Sequence, residues 1–388
     1  MTVNFDNAAT TFPKPPEVRE AVRSAVARYA SAGRGSHPLA KRGSELIYSA
    51  REEIAAFFEG APENAVLTSN CTHALNLAIQ GRMRSGGHII ISEYDHNSVL
   101  RPVYALAKAG TCRYSIAHIG DSPEETVRHF ARLIRPDTRA VACTLCSNVT
   151  GEILPWREIA ALCQERGICF IADGAQACGV LEVSMQDGIN ILCTAGHKGL
   201  YGITGTGLLL SDGKFPLPPL MQGGSGSLSN LPEMPPFLPD ALESGTLNII
   251  GAASLRSGLR FVRKRGVASI FAHETALCEQ FLRGLEQLPE VKIYRKENRP
   301  YAPIVSFNVG DLPSEETAAF LGEQGFCLRA GLHCAPLIHH RMGTDTGTVR
   351  FSPSVFSRVQ DVERLLSAVR KLAMQNLAGN HTNFHSIY

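Results

Sequence analysis

Residues 168–202 read ICFIADGAQACGVLEVSMQDGINILCTAGHKGLYG, and this stretch decides the fold. It holds two short apolar runs, Ile168–Ala172 and Ile189–Thr194, each followed by a glycine-bearing turn. Runs of this length, apolar throughout rather than alternating, belong to strands buried on both faces, as in parallel sheets covered by helices. The first turn opens with Asp173, in Asp173-Gly174-Ala175-Gln176, and the second carries Lys198, in Gly196-His197-Lys198-Gly199. Open α/β sheets bind ligands at the carboxyl ends of their strands, so both residues stand where chemistry is expected. A lysine crowded into such a turn is well placed to be desolvated, and so made more nucleophilic towards an aldehyde. Taken alone, the two features also fit a surface turn and an ordinary glycine-rich loop.

The same pattern extends outward. His88–Ser92, Ala140–Cys146 and Leu208–Ser211 read as further buried strands, with Ala65–Thr68 a short one before them. A helix opens at Pro155-Trp156-Arg157-Glu158 and closes before Gly167. Residues 16–30 place Val18, Val22, Val26 and Tyr29 at helical spacing after Pro15-Pro16. The alternation predicts an α/β domain with a mainly parallel sheet flanked by helices and right-handed crossovers. A Pro- and Gly-rich stretch from Lys214 to Pro239 is too long and irregular for a simple connection and reads as an active-site or interface loop. After residue 250 a helical pattern runs to Gln287, followed by the strand Ile304–Val309 and a terminal helix Val359–Gln375. The expected division is a large α/β domain over 15–252 and a smaller α+β domain over 253–376, with 1–14 packing nearby and 377–388 an unstructured tail.

Composition narrows the function classes. Of 388 residues, 44% are apolar and 19% charged, which describes a globular chain. The 38 basic and 36 acidic residues leave a net charge of +2, so there is no electrostatic footprint for nucleic acid. The first residues lack a basic segment followed by an apolar one, and no apolar run approaches membrane-spanning length; the expected location is the cytoplasm. The eleven cysteines are scattered and odd in number, unlike a disulfide framework. Most lie in apolar segments, where a reduced cysteine acts as a small hydrophobe. Cys143 and Cys146 have CxxC spacing but lack a second pair, so they read as buried strand and no metal site is expected.

The chemistry emerges from three motifs together. In Asn70-Cys71-Thr72-His73, Thr72 and the N–H groups after it would open a helix, a natural phosphate site as well as a common cap. A phosphate cradle, the strand-end carboxylate Asp173 and the amine of Lys198 match the needs of pyridoxal phosphate, whose ring nitrogen requires an anion and whose aldehyde requires an amine. With Phe5-Asp6-Asn7-Ala8-Ala9-Thr10-Thr11, His96, Ser147-Asn148, Glu243-Ser244-Gly245-Thr246 and Arg329-Ala330-Gly331-Leu332-His333-Cys334-Ala335 in the same order, residues 4–376 resemble the cysteine desulfurase and selenocysteine lyase family of the class V aminotransferase superfamily.

The resemblance implies a fold type I pyridoxal-phosphate enzyme with roles position by position. Lys198 would hold the cofactor and move the substrate α-proton, Asp173 would pair with the ring nitrogen, and Gln176 would bond the ring oxygen. His96 would stack on the ring, Asn148 would touch substrate or ring, and Thr72, His73 and His197 would surround the phosphate. Thr246 would reach the phosphate of a neighbouring subunit in a homodimer. Arg350 would clamp the substrate carboxylate, with Arg329 a second candidate near the nucleophile. Cys334 stands on a polar, glycine-containing loop and would take sulfur from L-cysteine as a persulfide. An unperturbed thiol is only about 3% ionised at neutral pH, so cationic help is expected from His333 and Arg329.

Two departures stand out: Ala195 replaces a hydroxyl residue common before Gly-His-Lys, and His73 replaces another. The short cysteine loop is similar to the branch with an RxGxHCA motif, which implies a sulfur-accepting partner protein and activity towards L-selenocysteine. A selenocysteine lyase, a cysteine sulfinate desulfinase, another class V activity and a non-catalytic sulfur-transfer scaffold remain alternatives.

Overall fold

The computed structural model describes residues 2–32, 35 and 37–377; of the expected tail over 377–388, all but Leu377, which closes the last helix, lies outside the described residues. Two compact units divide the chain. One contains Pro13–Ser147 and Ile153–Ser269; the other contains the residues up to Phe12, Asn148–Glu152, and those from Ile270 onward.

The larger unit is built on a seven-stranded sheet. Its spatial order is Ala65–Thr68, Gly207–Ser211, Ile191–Ala195, Cys169–Asp173, Thr138–Thr144, His88–Ser92 and Arg113–Ala117. Every pair is parallel except those made by Gly207–Ser211, which runs antiparallel to both of its neighbours. The mainly parallel sheet is therefore as expected, and its interior strands are buried along their whole length except Thr138–Thr144, whose first two residues are part-exposed. The connection leading into this antiparallel strand from Ile191–Ala195 carries Lys198. Helix Cys71–Met83 lies in the main core, burying Cys71, Ala74, Leu75, Leu77, Ala78, Ile79 and Met83, which is most of its circumference.

The helical pattern after residue 250 is two helices, Ile249–Arg265 and Val267–Leu285. Gly266 separates them at φ 85°, a conformation that costs glycine little. The first packs Ile249, Ala252 and Ala253 with Ala25, Leu46, Ile47 and Ala50, which keeps it with the sheet unit rather than beginning the smaller one at 253. Residues 214–239 form no helix or strand and expose Leu220, Met221, Leu228, Leu231 and Phe237.

The Lys198 loop is pressed onto the Asp173 turn through a pair of glycines. A Cβ on Gly179 would lie 2.2 Å from the Gly199 carbonyl oxygen, and one on Gly199 would lie 2.4 Å from that of Cys178. Larger residues would force the two loops apart.

In the smaller unit, Val349–Phe351, Val305–Val309 and Val291–Ile293 form a three-stranded antiparallel sheet. The N-terminal strand Val3–Asn4 pairs in parallel with Phe326–Cys327. Phe5, Phe281, Phe307 and Phe351 form its aromatic centre, with ring centroids 4.3 Å apart for Phe281–Phe351 and 4.7 Å for Phe5–Phe351. Asn148–Glu152 joins this unit through the Ala302 N–H on the Gly151 carbonyl (2.8 Å) and the Ser306 hydroxyl on that of Val149 (2.7 Å). No helix among the described residues is long and apolar enough to cross a membrane.

Candidate active site

The strand ends of the larger unit gather one set of candidate groups. Asp173 closes the strand Cys169–Asp173 and is buried. Its Oδ1 accepts the Ala175 N–H at 3.0 Å and the Cys71 thiol at 3.4 Å, while Oδ2 has no hydrogen-bond partner among the described residues. Cys71 is the first residue of helix Cys71–Met83, so this contact ties the helix N-terminus to the carboxylate. Burial, then the Asp173 charge, pushes the Cys71 thiol well above its ordinary pKa, so it stays protonated and donates. The cap of this helix is Asn70, whose side chain takes the His73 N–H at 2.9 Å, rather than Thr72. Thr72 is exposed on the first turn, and His73 Nε2 is buried with no partner among the described residues.

Lys198 is anchored by its backbone: its carbonyl accepts the Tyr201 N–H at 2.9 Å, and the Gly202 N–H reaches the Gly196 carbonyl at 2.8 Å. Burial, with Lys198 and Lys14 nearby, draws the His197 pKa down to about 4, so its ring is neutral. Lys14 donates to the His197 carbonyl at 2.8 Å, and burial lowers its own pKa to about 8. Gln176 lies half-buried on the Asp173 turn. His96 caps helix Asn97–Lys108, its Nδ1 accepting the Ser98 N–H at 3.0 Å, which places the ring proton on Nε2. Beside it, buried Asp95 joins two strand ends by accepting the Ser92 and Thr144 N–H groups at 2.6 and 2.7 Å. Thr246 is exposed and lines a cleft of about 630 Å³ with Arg51, Glu243 and Ser227.

The smaller unit holds the nucleophile candidate. Cys334 is exposed, and the Arg329 Nη2 lies 3.8 Å from its sulfur. His333 and Cys334 are both left-handed, at φ 48° and 57°, a conformation costing non-glycine residues of order 1 kcal/mol each. The loop is held there by the Asn148 amide on the His333 carbonyl (2.7 Å), the Ala335 N–H on the Leu332 carbonyl (2.9 Å) and the Thr348 N–H on the Gly331 carbonyl (3.2 Å). Arg350 is buried, its Nη1 on the Asn148 carbonyl at 2.9 Å and its Nη2 on Asp6 at 3.0 Å.

The expectation that His333 supplies positive charge to the thiol is not met. Its Nε2 donates to the Thr348 carbonyl at 3.0 Å inside the unit, and burial lowers its pKa to about 2. Arg329 is therefore the cation at Cys334. The folded pKa lies below the ordinary 6.5, so the native state resists protonation: this stability is complete above about pH 6.5 and drains as pH falls. Between about pH 7.5 and 5 the protein is expected to lose up to about 2 kcal/mol more unfolding free energy than His333→Asn does. Urea unfolding at the two pH values checks this; equal losses in both proteins would contradict it.

Asp6, Lys14, Cys71 and Asp95 carry contacts that the sequence reading left unassigned. In the larger unit the groups suit a phosphorylated ring aldehyde: a carboxylate oxygen with no partner among the described residues, an amine, and a helix N-terminus with a buried, unpartnered His73 nitrogen. No group of three or more His, Cys, Asp or Glu side chains suited to a metal ion occurs among the described residues.

The aminotransferase class-V family pattern matches residues 3–365. A probable cysteine desulfurase of Pyrococcus abyssi is 31% identical over 95% of this chain and 94% of its own length. The apo structure of the cysteine desulfurase from Thermococcus onnurineus NA1 superposes with a TM-score of 0.88 at 29% identity, covering 96% of this chain and 95% of that one. The cysteine desulfurase CsdA of Escherichia coli gives 0.84 at 25% identity, covering 97% and 95%. The chain belongs to the class-V aminotransferase family.

Proposed function

We propose that the protein is a pyridoxal-phosphate-dependent cysteine desulfurase, converting L-cysteine to L-alanine and keeping the sulfur as a persulfide on Cys334. The observation that carries this reading is the contrast among the thiols. Nine cysteines are buried, whereas Cys334 is exposed on a strained loop beside the Arg329 guanidinium. The names of the relatives support the same activity.

Pyridoxal 5'-phosphate, when bound, supplies the electron sink for charge left on the substrate α-carbon. In this reading Lys198 holds the aldehyde carbon and moves the α-proton. The Asp173 carboxylate would hold the ring nitrogen, and Gln176 would bond the ring oxygen. Thr72, His73 and His197 bind the phosphate, and the neutral ring of His197 does so as a hydrogen-bond donor. His96, oriented by its cap, stacks on the ring. Asn148 and Arg350 bind the substrate carboxylate. Cys334, with the Arg329 guanidinium beside it, attacks the substrate sulfur. A sulfur–sulfur bond forms as the carbon–sulfur bond breaks, and the electron pair passes to the substrate carbon, which is protonated to give alanine. A nucleophilic acceptor protein or a thiol reductant then unloads the persulfide. Exposed Thr246 and the exposed apolar residues of 214–239 support a homodimer in which Thr246 serves a neighbouring phosphate.

The test is product analysis with L-cysteine, L-selenocysteine and L-cysteine sulfinate, with and without a reductant. L-Alanine is expected from L-cysteine, with a single early turnover when no reductant is present. Alanine from selenocysteine alone would replace this reading by a selenocysteine lyase, and alanine from sulfinate alone by a desulfinase. None from any of the three would leave a sulfur-transfer scaffold.

A further inference from the structure

We propose that Asp6 is a positioning residue for substrate recognition, holding Arg350 in the pose that receives the substrate carboxylate. The inference rests on the reading of Arg350 as the carboxylate clamp.

Arg350 is 1% exposed, so its charge has left water and needs an anion nearby. Asp6 supplies it at 3.0 Å, and no other carboxylate pairs with this guanidinium among the described residues. Of its other titratable neighbours, Arg329 repels it and Cys334 favours its charge; the backbones of the two arginines are bridged, with the Arg350 N–H on the Arg329 carbonyl at 2.8 Å. Without Asp6, the fork would keep only its contact with the Asn148 carbonyl, and the repulsion from Arg329 would go unanswered by a carboxylate.

Asp6 is itself held firmly. The Ser352 N–H reaches the Phe5 carbonyl at 2.7 Å, the Asn7 N–H reaches the Ser352 carbonyl at 3.2 Å, and the Ala8 N–H reaches the Ser352 hydroxyl at 2.9 Å. Ser352 lies two residues beyond Arg350, on the same face of the extended chain, so the N-terminal segment is zipped alongside the residue that its carboxylate serves.

The contacts also leave the fork usable. Nη1 is on the Asn148 carbonyl and Nη2 on Asp6, while Nε is buried with no partner among the described residues. A guanidinium has five N–H donors, so an edge including Nε remains for a second carboxylate. The Asn148 amide, bonded to the His333 carbonyl, continues the chain from Asp6 and Arg350 to the residue before Cys334.

The experiment measures KM and kcat for L-cysteine, inhibition by L-alanine, and alkylation of Cys334 by neutral iodoacetamide. Asp6→Ala is expected to raise KM and weaken alanine inhibition about tenfold, with kcat within about twofold and alkylation unchanged. Asp6→Asn, which keeps an acceptor in place but removes the charge, is expected to raise KM by about threefold, less than Asp6→Ala does. Should Asp6→Ala not fold, Asp6→Glu keeps the charge but displaces it by one methylene, and KM must rise with it. An unchanged KM, or a kcat that falls as far as kcat/KM, overturns the proposal. Arg350→Lys separates the layers: if it leaves KM alone, the clamp reading itself is wrong; if it raises KM while Asp6→Ala does not, only the role of Asp6 falls.

Discussion

Lys198→Ala is expected to reduce L-alanine formation from L-cysteine at least about 10⁴-fold, because in the proposed reaction one amine both holds the cofactor and carries the proton. The fold should survive. The turn around Lys198 is pinned by its backbone, through Gly196, Tyr201 and Gly202, and by the glycine pair 179 and 199, none of which needs the side chain. Two further readouts accompany the rate: the near-visible absorbance of bound cofactor should change, and the cofactor should wash out on dialysis. A variant that keeps more than about a tenth of the parent rate would place the essential amine elsewhere. Lys14, whose pKa burial lowers to about 8, is then the residue to examine.

Cys334→Ala is expected to lose turnover of L-cysteine at least about 10³-fold, since alanine offers no nucleophile to accept the sulfur. The same variant should process L-cysteine sulfinate within about threefold of the parent rate. A sulfinate leaves as sulfur dioxide and needs no attacking thiol, so this substrate reports whether cofactor and fold remain intact. Mass spectrometry of the parent after one turnover without reductant should find one extra sulfur on the peptide containing Cys334. Undiminished turnover of L-cysteine by Cys334→Ala would remove the persulfide from the mechanism.

The parts of the fold legible in the sequence were those with one-sided physics. Ala65–Thr68 and His88–Ser92 have the limits that their apolar runs suggest. Arg113–Ala117 went unread because an edge strand, part-exposed along most of its length, carries no such run. The helix after residue 250 looked continuous because the residues flanking Gly266 keep its period. Among the candidate residues, Lys198, Asp173 and Cys334 could be singled out because each stands in an unusual local setting. Asp6 could not be given a role this way: its partner Arg350 is 344 residues distant, and only tertiary pairing makes the contact. His333 shows the converse. Adjacency to Cys334 suggested a cation, but adjacency says nothing of burial, and burial decides its charge.

The distribution of thiols has a consequence for a protein with the proposed activity, which would manufacture reactive sulfur. A persulfide transfers its outer sulfur to any thiolate it meets, so a chain with eleven cysteines is exposed to attack by its own product. Sealing nine of them in the interior, where burial drives such thiols as Cys146 and Cys278 far from ionisation, removes them as recipients. Only Cys327 shares the surface with Cys334. In the proposed reaction, sulfur loaded on Cys334 would thus be kept from scattering through the chain that made it, and its main exit would be outward, to whatever acceptor arrives.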